Sequence, residues 1–165
     1  MNHEESGLQK QCVTWFRAQY PQYAMLLTHP INEGGKNTRI TGAIHKGEGT
    51  VAGVPDLLLF IGSEYKFPTS GNLEMVVVFN GLGIEMKTKS GKQTQEQKDF
   101  QKMFESASFK YVIVRSLDEF IAVINEYISN SDPFRRRAIA AAHVEIEEAR
   151  RQKELEHFKK VIGKK

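Results

Sequence analysis

Apolar and polar positions along the chain switch between helical and extended periodicity in a definite order. Residues 5–20 carry Leu8, Cys12, Trp15, Phe16 and Gln19 along one side at helical spacing, and Pro21 stops that helix. Residues 24–28 suit a short strand. Apolar runs at 56–61, 73–79 and 82–88 read as three further strands. A Pro/Ser/Gly loop joins the first two. Asn80-Gly81 joins the last two and is a strong signal for a two-residue hairpin. Thr94 is placed to cap a helix over 94–106, in which Gln97, Phe100, Met103 and Phe104 recur at helical spacing. Residues 111–115 read as a strand and 117–129 as a helix with Phe120, Ile121, Ile124 and Ile128 on one face. Beyond the break Asn130-Ser131-Asp132-Pro133, a charged helix is expected from Phe134 to about Ile162. Its apolar stripe (Ile139, Ala142, Ile146 and Ala149, then Leu155, Phe158 and Ile162) is thin. A helix that depends on packing for its stability must lie on its own domain or on a partner.

The core order of helix, three strands, helix, strand and helix implies an α/β domain with a mixed sheet. The hairpin would supply antiparallel neighbours, and the crossover helix would deliver a parallel one. Residues 1–129 are read as that domain and 130–165 as a basic helical extension. Within the domain lies the stretch 29–53, which is polar and glycine-rich and carries Lys36, Arg39, His45 and Lys46. Irregular stretches of that length inside a compact domain are often functional. These four side chains could meet a phosphate backbone, and the stretch leaves room for a short helix near 40–46.

Composition narrows the class. The chain has 165 residues, within the size of one domain. No apolar run approaches the roughly 18 residues of a membrane span, and the acidic N-terminus lacks an apolar signal core, so a cytoplasmic location without membrane partners is the expectation. The single cysteine, Cys12, excludes an internal disulfide framework and falls on an apolar helix face, as a buried thiol would. The net charge of +3 is uneven: residues 150–165 hold seven lysines and arginines against two glutamates, which leaves residues 1–149 slightly acidic. Phosphate attraction would therefore come from local patches and the tail. Arg135, Arg136 and Arg137 form one such cluster, or a solvated one.

Two segments carry candidate chemistry, Gly53-Val54-Pro55-Asp56 and Glu85-Met86-Lys87. Alternation along a strand puts Glu85 and Lys87 on one face and turns Met86 the other way. Asp56 opens an apolar run and Glu85 lies inside another, where a charge is costly unless it is paired or binds a metal. Two carboxylates and an ammonium are what metal-assisted phosphodiester hydrolysis needs. Mg²⁺ in particular takes a few carboxylates plus water and phosphate oxygens. Read structurally, the same residues are an ion pair with Lys87, and Asp56 is a turn residue after Pro55.

These residues resemble the core of the PD-(D/E)XK nuclease superfamily, and the fuller pattern resembles its VRR-Nuc branch. The resemblance rests on Glu5-Ser6-Gly7-Leu8-Gln9, Pro30-Ile31-Asn32-Glu33-Gly34-Gly35, Gly53-Val54-Pro55-Asp56-Leu57, Gly83-Ile84-Glu85-Met86-Lys87 and Gly91-Lys92-Gln93-Thr94-Gln95-Glu96-Gln97. It spans about residues 4 to 129. It implies a restriction-endonuclease-like αβββαβ core and a Mg²⁺- or Mn²⁺-dependent DNA nuclease leaving 5′-phosphates. Such nucleases are often phage-encoded, often prefer branched or flapped DNA, and are typically homodimers in the short forms. By this resemblance Asp56, Glu85, the Met86 backbone carbonyl and Glu5 hold the metal. Lys87 orients water or steadies developing charge, and Gln97 supports Lys87, the water or a phosphate. Lys89, Lys92, Arg135 and Arg136 join Lys36, Arg39, His45 and Lys46 as DNA contacts. Structurally, Glu5 is also an ordinary acid at a helix N-terminus and Gln97 an ordinary polar helix residue. A non-catalytic DNA-binding protein on this fold and a sequence-specific restriction enzyme are the competing readings.

Overall fold

The computed structural model describes residues 3–30, 47, 49–69 and 74–162. The candidate DNA contacts Lys36, Arg39, His45 and Lys46, the possible helix near 40–46 and most of the Pro30–Gly35 motif lie outside these residues.

Helix α1 (His3–Gln19) opens the chain, and a 3₁₀ segment (Pro21–Leu26) leads into a short strand β1 (Leu27–Thr28). Then follow β2 (Leu57–Leu59), β3 (Ser63–Pro68), β4 (Glu74–Phe79) and β5 (Leu82–Met86). Helix α2 (Gln95–Ser106) crosses to β6 (Lys110–Val114), and α3 (Leu117–Ser129) and α4 (Pro133–Ile162) complete the chain. The main sheet has the order β1-β2-β5-β6, with β1/β2 and β2/β5 antiparallel and β5/β6 parallel. The parallel crossover through α2 is the one the sequence implies.

The central strand β5 is buried along its whole length, as a strand covered on both faces must be. Its residues divide by alternation. Leu82, Ile84 and Met86 join Cys12, Phe16, Leu57, Phe120 and Ile124 in one core cluster, so α1 and α3 cover that face. Gly83 faces α2: a β-carbon there would come within 2.9 Å of both Phe104 and Pro55. Phe104 stacks on Phe109 at 4.4 Å and meets Tyr111 edge-on at 6.5 Å, anchoring α2 on the opposite face. Met103 of α2 is 72% exposed and takes no part in that contact. Cys12 is fully buried, and desolvation pushes its thiol up to about 12, which keeps it in the unreactive protonated form.

The strand pairing departs from the sequence reading in one respect. Residues 73–79 and 82–88 do not form a hairpin. β4 pairs instead with β3, which lies where the sequence pattern predicts a loop, and the two form a separate ribbon inserted into the αβββαβ order between β2 and β5. The three core strands before α2 are therefore β1, β2 and β5. A type I′ hairpin needs positive φ at both turn residues. Among the described residues only Ser108, Gly49 and Gly53 have positive φ, so Asn80-Gly81 makes no such turn. Gly81 serves close approach instead: a β-carbon would lie 2.9 Å from the Leu59 carbonyl oxygen and from the Phe109 ring. Asn80 N–H donates to the Ser108 carbonyl at 2.7 Å, and Lys110 N–H donates to the Gly81 carbonyl at 2.9 Å. The segment thereby docks on the turn before β6. The ribbon is tied to α3 by Ser63 Oγ donating to the Tyr127 carbonyl (3.0 Å) and by Glu64 N–H donating to the Asn130 carbonyl (2.8 Å).

α4 is helical as expected, but among the described residues none of its side chains is buried. Ile139 packs on the core cluster and the helix touches the 3₁₀ segment, while Leu155, Phe158, Val161 and Ile162 stay more than half exposed.

Candidate active site

The β2/β5 register pairs Leu57 with Ile84, so the next step along the ladder sets Asp56 opposite Glu85 at one end of the sheet. Asp56 Oδ2 accepts a hydrogen bond from Met86 N–H at 2.7 Å, which fixes that carboxylate against the strand carrying Glu85. Glu85 is 2% exposed and Lys87 8%. Their shared face, expected from strand alternation, is realised as an ion pair of 2.8 Å between Lys87 Nζ and Glu85 Oε1. Met86 points away into the core.

Helix α2 adds Gln97. Thr94 caps the helix with a capping box: Gln97 N–H donates to Thr94 Oγ1 (3.3 Å), and Gln97 Oε1 accepts from Thr94 N–H (3.0 Å). With its amide oxygen held this way, Gln97 Nε2 is turned to donate to Glu85 Oε1. One residue thus caps the helix and holds the buried carboxylate. Gly53 makes this approach possible. It has a φ of +86°, and a β-carbon there would sit 2.2 Å from the Glu96 carbonyl oxygen and 2.9 Å from Gln97 N. Tyr111 contributes a weaker contact from β6, its hydroxyl donating to Glu85 Oε2 at 3.4 Å.

From α1, Glu5 Oε1 accepts from Thr88 N–H at 3.3 Å, which brings the first helix to the end of β5. Glu4, Glu5, Leu8, Lys87, Thr88, Lys89, Ser90 and Arg115 enclose a cleft of about 510 Å³. Asp56, Glu85, Lys87, Gln97 and Glu5 are therefore gathered at one sheet end, and Lys89 lines the cleft beside them. Lys92 is exposed on the following loop. Arg135 and Arg136, at the start of α4, do not line this cleft, and the Arg135 guanidinium lies over Gly62. Two site residues had no sequence signal of their own, Tyr111 and Arg115; His29, a residue the sequence offers as a DNA contact, instead donates from Nδ1 to the Asp56 carbonyl oxygen at 2.7 Å.

Burial pushes the Asp56 carboxyl above its ordinary 3.8. The Met86 N–H, Lys87 and His29 pull it back, and the nearby Glu5 charge adds to the rise. Burial likewise raises Glu85 above 4.5. Its bond to Lys87 opposes that rise, and the Asp56 charge reinforces it. Asp56, Glu85, Glu5 and Glu4 against Lys87, Lys89 and Arg115 leave a small surplus of negative charge in a partly desolvated place. All the donors are hard oxygens, a set that fits Mg²⁺ or Mn²⁺. Among the described residues no three acidic, histidine or cysteine side chains form a ready-made cation cage. A metal here would have to fill its remaining positions from the backbone, water and substrate.

The folded protein holds protons on these carboxyls to higher pH than the unfolded chain does. The metal-free protein should therefore lose this part of its stability as pH rises through the window above 3.8 to 4.5. The expected result is a Tm difference between parent and Asp56→Asn, measured in EDTA, that moves against the parent as pH rises toward neutrality. Parallel Tm curves for the two proteins would contradict it.

A solved structure titled "VRR_NUC domain protein" superposes with a TM-score of 0.61, covering 80% of this chain and 93% of its own length, at 23% sequence identity. The two proteins share a fold, which is the PD-(D/E)XK-like mixed α/β fold that the sequence resemblance implies. No protein-family profile and no curated protein matches the sequence.

Proposed function

We propose that the chain is a Mg²⁺- or Mn²⁺-dependent deoxyribonuclease. The observation that carries this reading is the gathering of Asp56, Glu85 and Lys87 at one sheet end with an excess of negative charge. The likeness to a structure named for a VRR_NUC domain supports it. Asp56, Glu85, the Met86 carbonyl and Glu5 would hold the cation. When bound, the cation supplies Lewis acidity that makes water nucleophilic near neutral pH and offsets charge on the phosphoryl oxygens. Lys87, held by Glu85, is placed to orient the water or donate to a phosphoryl oxygen as charge develops. Gln97 keeps Glu85 in position through its capped amide. Lys89 and Lys92 would contact flanking phosphates, and electrostatic attraction of that kind weakens with salt.

The preferred substrate on this reading is branched or flapped DNA, and the working unit is a homodimer. Met75, Val76 and Val78 on the inserted ribbon, with Leu155 and Phe158 on α4, are exposed apolar side chains available to a second copy. Two symmetry-related sites would address two strands of a branch at once.

The test is cleavage of labelled single-stranded, duplex, 5′-flap, 3′-flap and four-way-junction DNA in Mg²⁺, Mn²⁺ or EDTA. Metal-dependent cutting, strongest on a branched or flapped member, is expected. Retained binding with no cutting of any member would instead support a DNA-binding protein on a nuclease fold, and discrete fragments from linear duplexes a sequence-specific enzyme.

A further inference from the structure

We propose that Arg115, at the junction of β6 and α3, is a positioning residue for Lys87 and Glu5. The inference rests on the nuclease reading of the site. The parallel ladder ends where Lys87 N–H donates to the Val114 carbonyl at 3.0 Å. Past that point the β5 chain folds into a turn, Thr88-Lys89-Ser90-Gly91, closed by Gly91 N–H donating to the Thr88 carbonyl at 3.1 Å. Arg115 follows Val114 and turns its side chain onto that same turn. Its Nη1 donates to the Thr88 carbonyl and, at 2.9 Å, to the Gly91 carbonyl. One nitrogen with two hydrogens thus ties both ends of the turn. Arg115 is itself fixed from α3, since its N–H donates to Glu119 Oε2 at 2.7 Å.

The turn touches the site in two places. Thr88 N–H holds Glu5 Oε1. Gly91 lies against the Lys87 stem, where a β-carbon would come within 3.4 Å of Lys87 Cδ. Arg115 also lines the cleft with Lys87 and Lys89. Arginine suits this place because resonance fixes the two Nη1 hydrogens in the guanidinium plane, whereas the hydrogens of a lysine ammonium rotate freely about its stem. Without the tie, the turn, the Glu5 carboxylate and the Lys87 stem would share the loss of alignment, and misplacements on the scale of an ångström cost about 100-fold in rate.

The experiment compares parent, Arg115→Ala and Arg115→Lys. Single-turnover cleavage and DNA affinity are measured across a salt series, with amide hydrogen exchange over residues 87–92. For Arg115→Ala the cleavage rate should fall about 10- to 100-fold. Affinity should stay within about threefold, with the salt slope unchanged, since no phosphate contact is lost. Added guanidinium should restore part of the rate, and ammonium should not. Exchange at Thr88 and Gly91 should accelerate while α1 and α3 stay protected. Arg115→Lys, which retains charge and bulk should alanine not fold, should fall in rate by a smaller factor. Parental rates in a folded variant, or unchanged exchange at the turn, would overturn the assignment. So would a loss confined to affinity with a salt slope lower by about one, which would make Arg115 a phosphate contact. A parent that cuts nothing overturns the nuclease reading and this assignment together, whereas a parent that cuts beside an equally active variant removes only this assignment.

Discussion

Asp56→Asn is expected to reduce DNA cleavage by about 10³-fold or more, equivalent to roughly 4 kcal/mol of barrier, with the fold intact. Asparagine keeps an oxygen that can accept the Met86 N–H bond seen at 2.7 Å, so the β2/β5 junction should hold. It removes the negative charge, and with it the best part of the offer to a cation. It also removes a like charge from beside Glu85, whose carboxyl the Asp56 charge helps to raise. The metal-free variant should therefore be at least as stable as the parent, while Mg²⁺ should stabilise it far less. Loss of activity with retained or improved thermal stability separates a catalytic from a structural Asp56, because a structural turn residue would show the reverse. Cleavage at the parental rate, measured under single-turnover conditions in Mg²⁺, would remove Asp56 from the mechanism.

The second large effect is expected at a residue with no side chain. Gly53→Ala should lose about 2–4 kcal/mol of stability, read as a lower urea midpoint with an unchanged slope. Two causes add. Alanine is strained at a φ of +86°. Its β-carbon would also meet the Glu96 carbonyl oxygen at 2.2 Å, a backbone atom that cannot swing aside as a side chain would. The relief must come from moving the α2 N-terminus or the segment leading to Asp56. Gln97 sits on the first and Asp56 on the second, so the cleavage rate should fall as well, by about 10- to 100-fold. Gly7→Ala is the control. Gly7 lies within α1, and a β-carbon there meets nothing within 4 Å, so that variant should gain roughly 0.5–1 kcal/mol from helix propensity. Equal stability of Gly53→Ala and parent would contradict the docking role of this glycine.

Local patterns were legible where the relevant physics is local. The Thr94 cap, the helical spacing of α1 and α3 (Gln19, which is exposed, and Ile121, outside the core cluster, excepted) and the shared face of Glu85 and Lys87 all follow from repeats of a few residues, and each is present in the fold. The partner of β4 was not legible. Met75 to Val78 is an apolar run that could pair with either neighbour, and the Asn80-Gly81 signal reports only what a turn would tolerate. Gly81 is needed because a main chain and an aromatic ring crowd it, and no short sequence window contains Leu59 and Phe109 together. For the same reason nothing near Arg115 marks it as the residue that ties the Thr88–Gly91 turn: its carbonyl partners lie 24 and 27 positions earlier.

By itself, then, the sequence determined which residues could do chemistry and which strand face two of them occupy, because side-chain alternation needs no tertiary context. It also determined the order of the elements around them, β3 excepted, through periodicity and caps. Only the tertiary structure decided that Asp56 stands opposite Glu85, and that Gln97 divides its amide between a helix cap and a buried carboxylate. It alone decided that the apolar run before β5 builds a separate ribbon. Those outcomes depend on register and close approach between segments far apart in the chain. There, the space left by glycines and the need to pair buried polar groups select among arrangements that local propensity leaves equivalent.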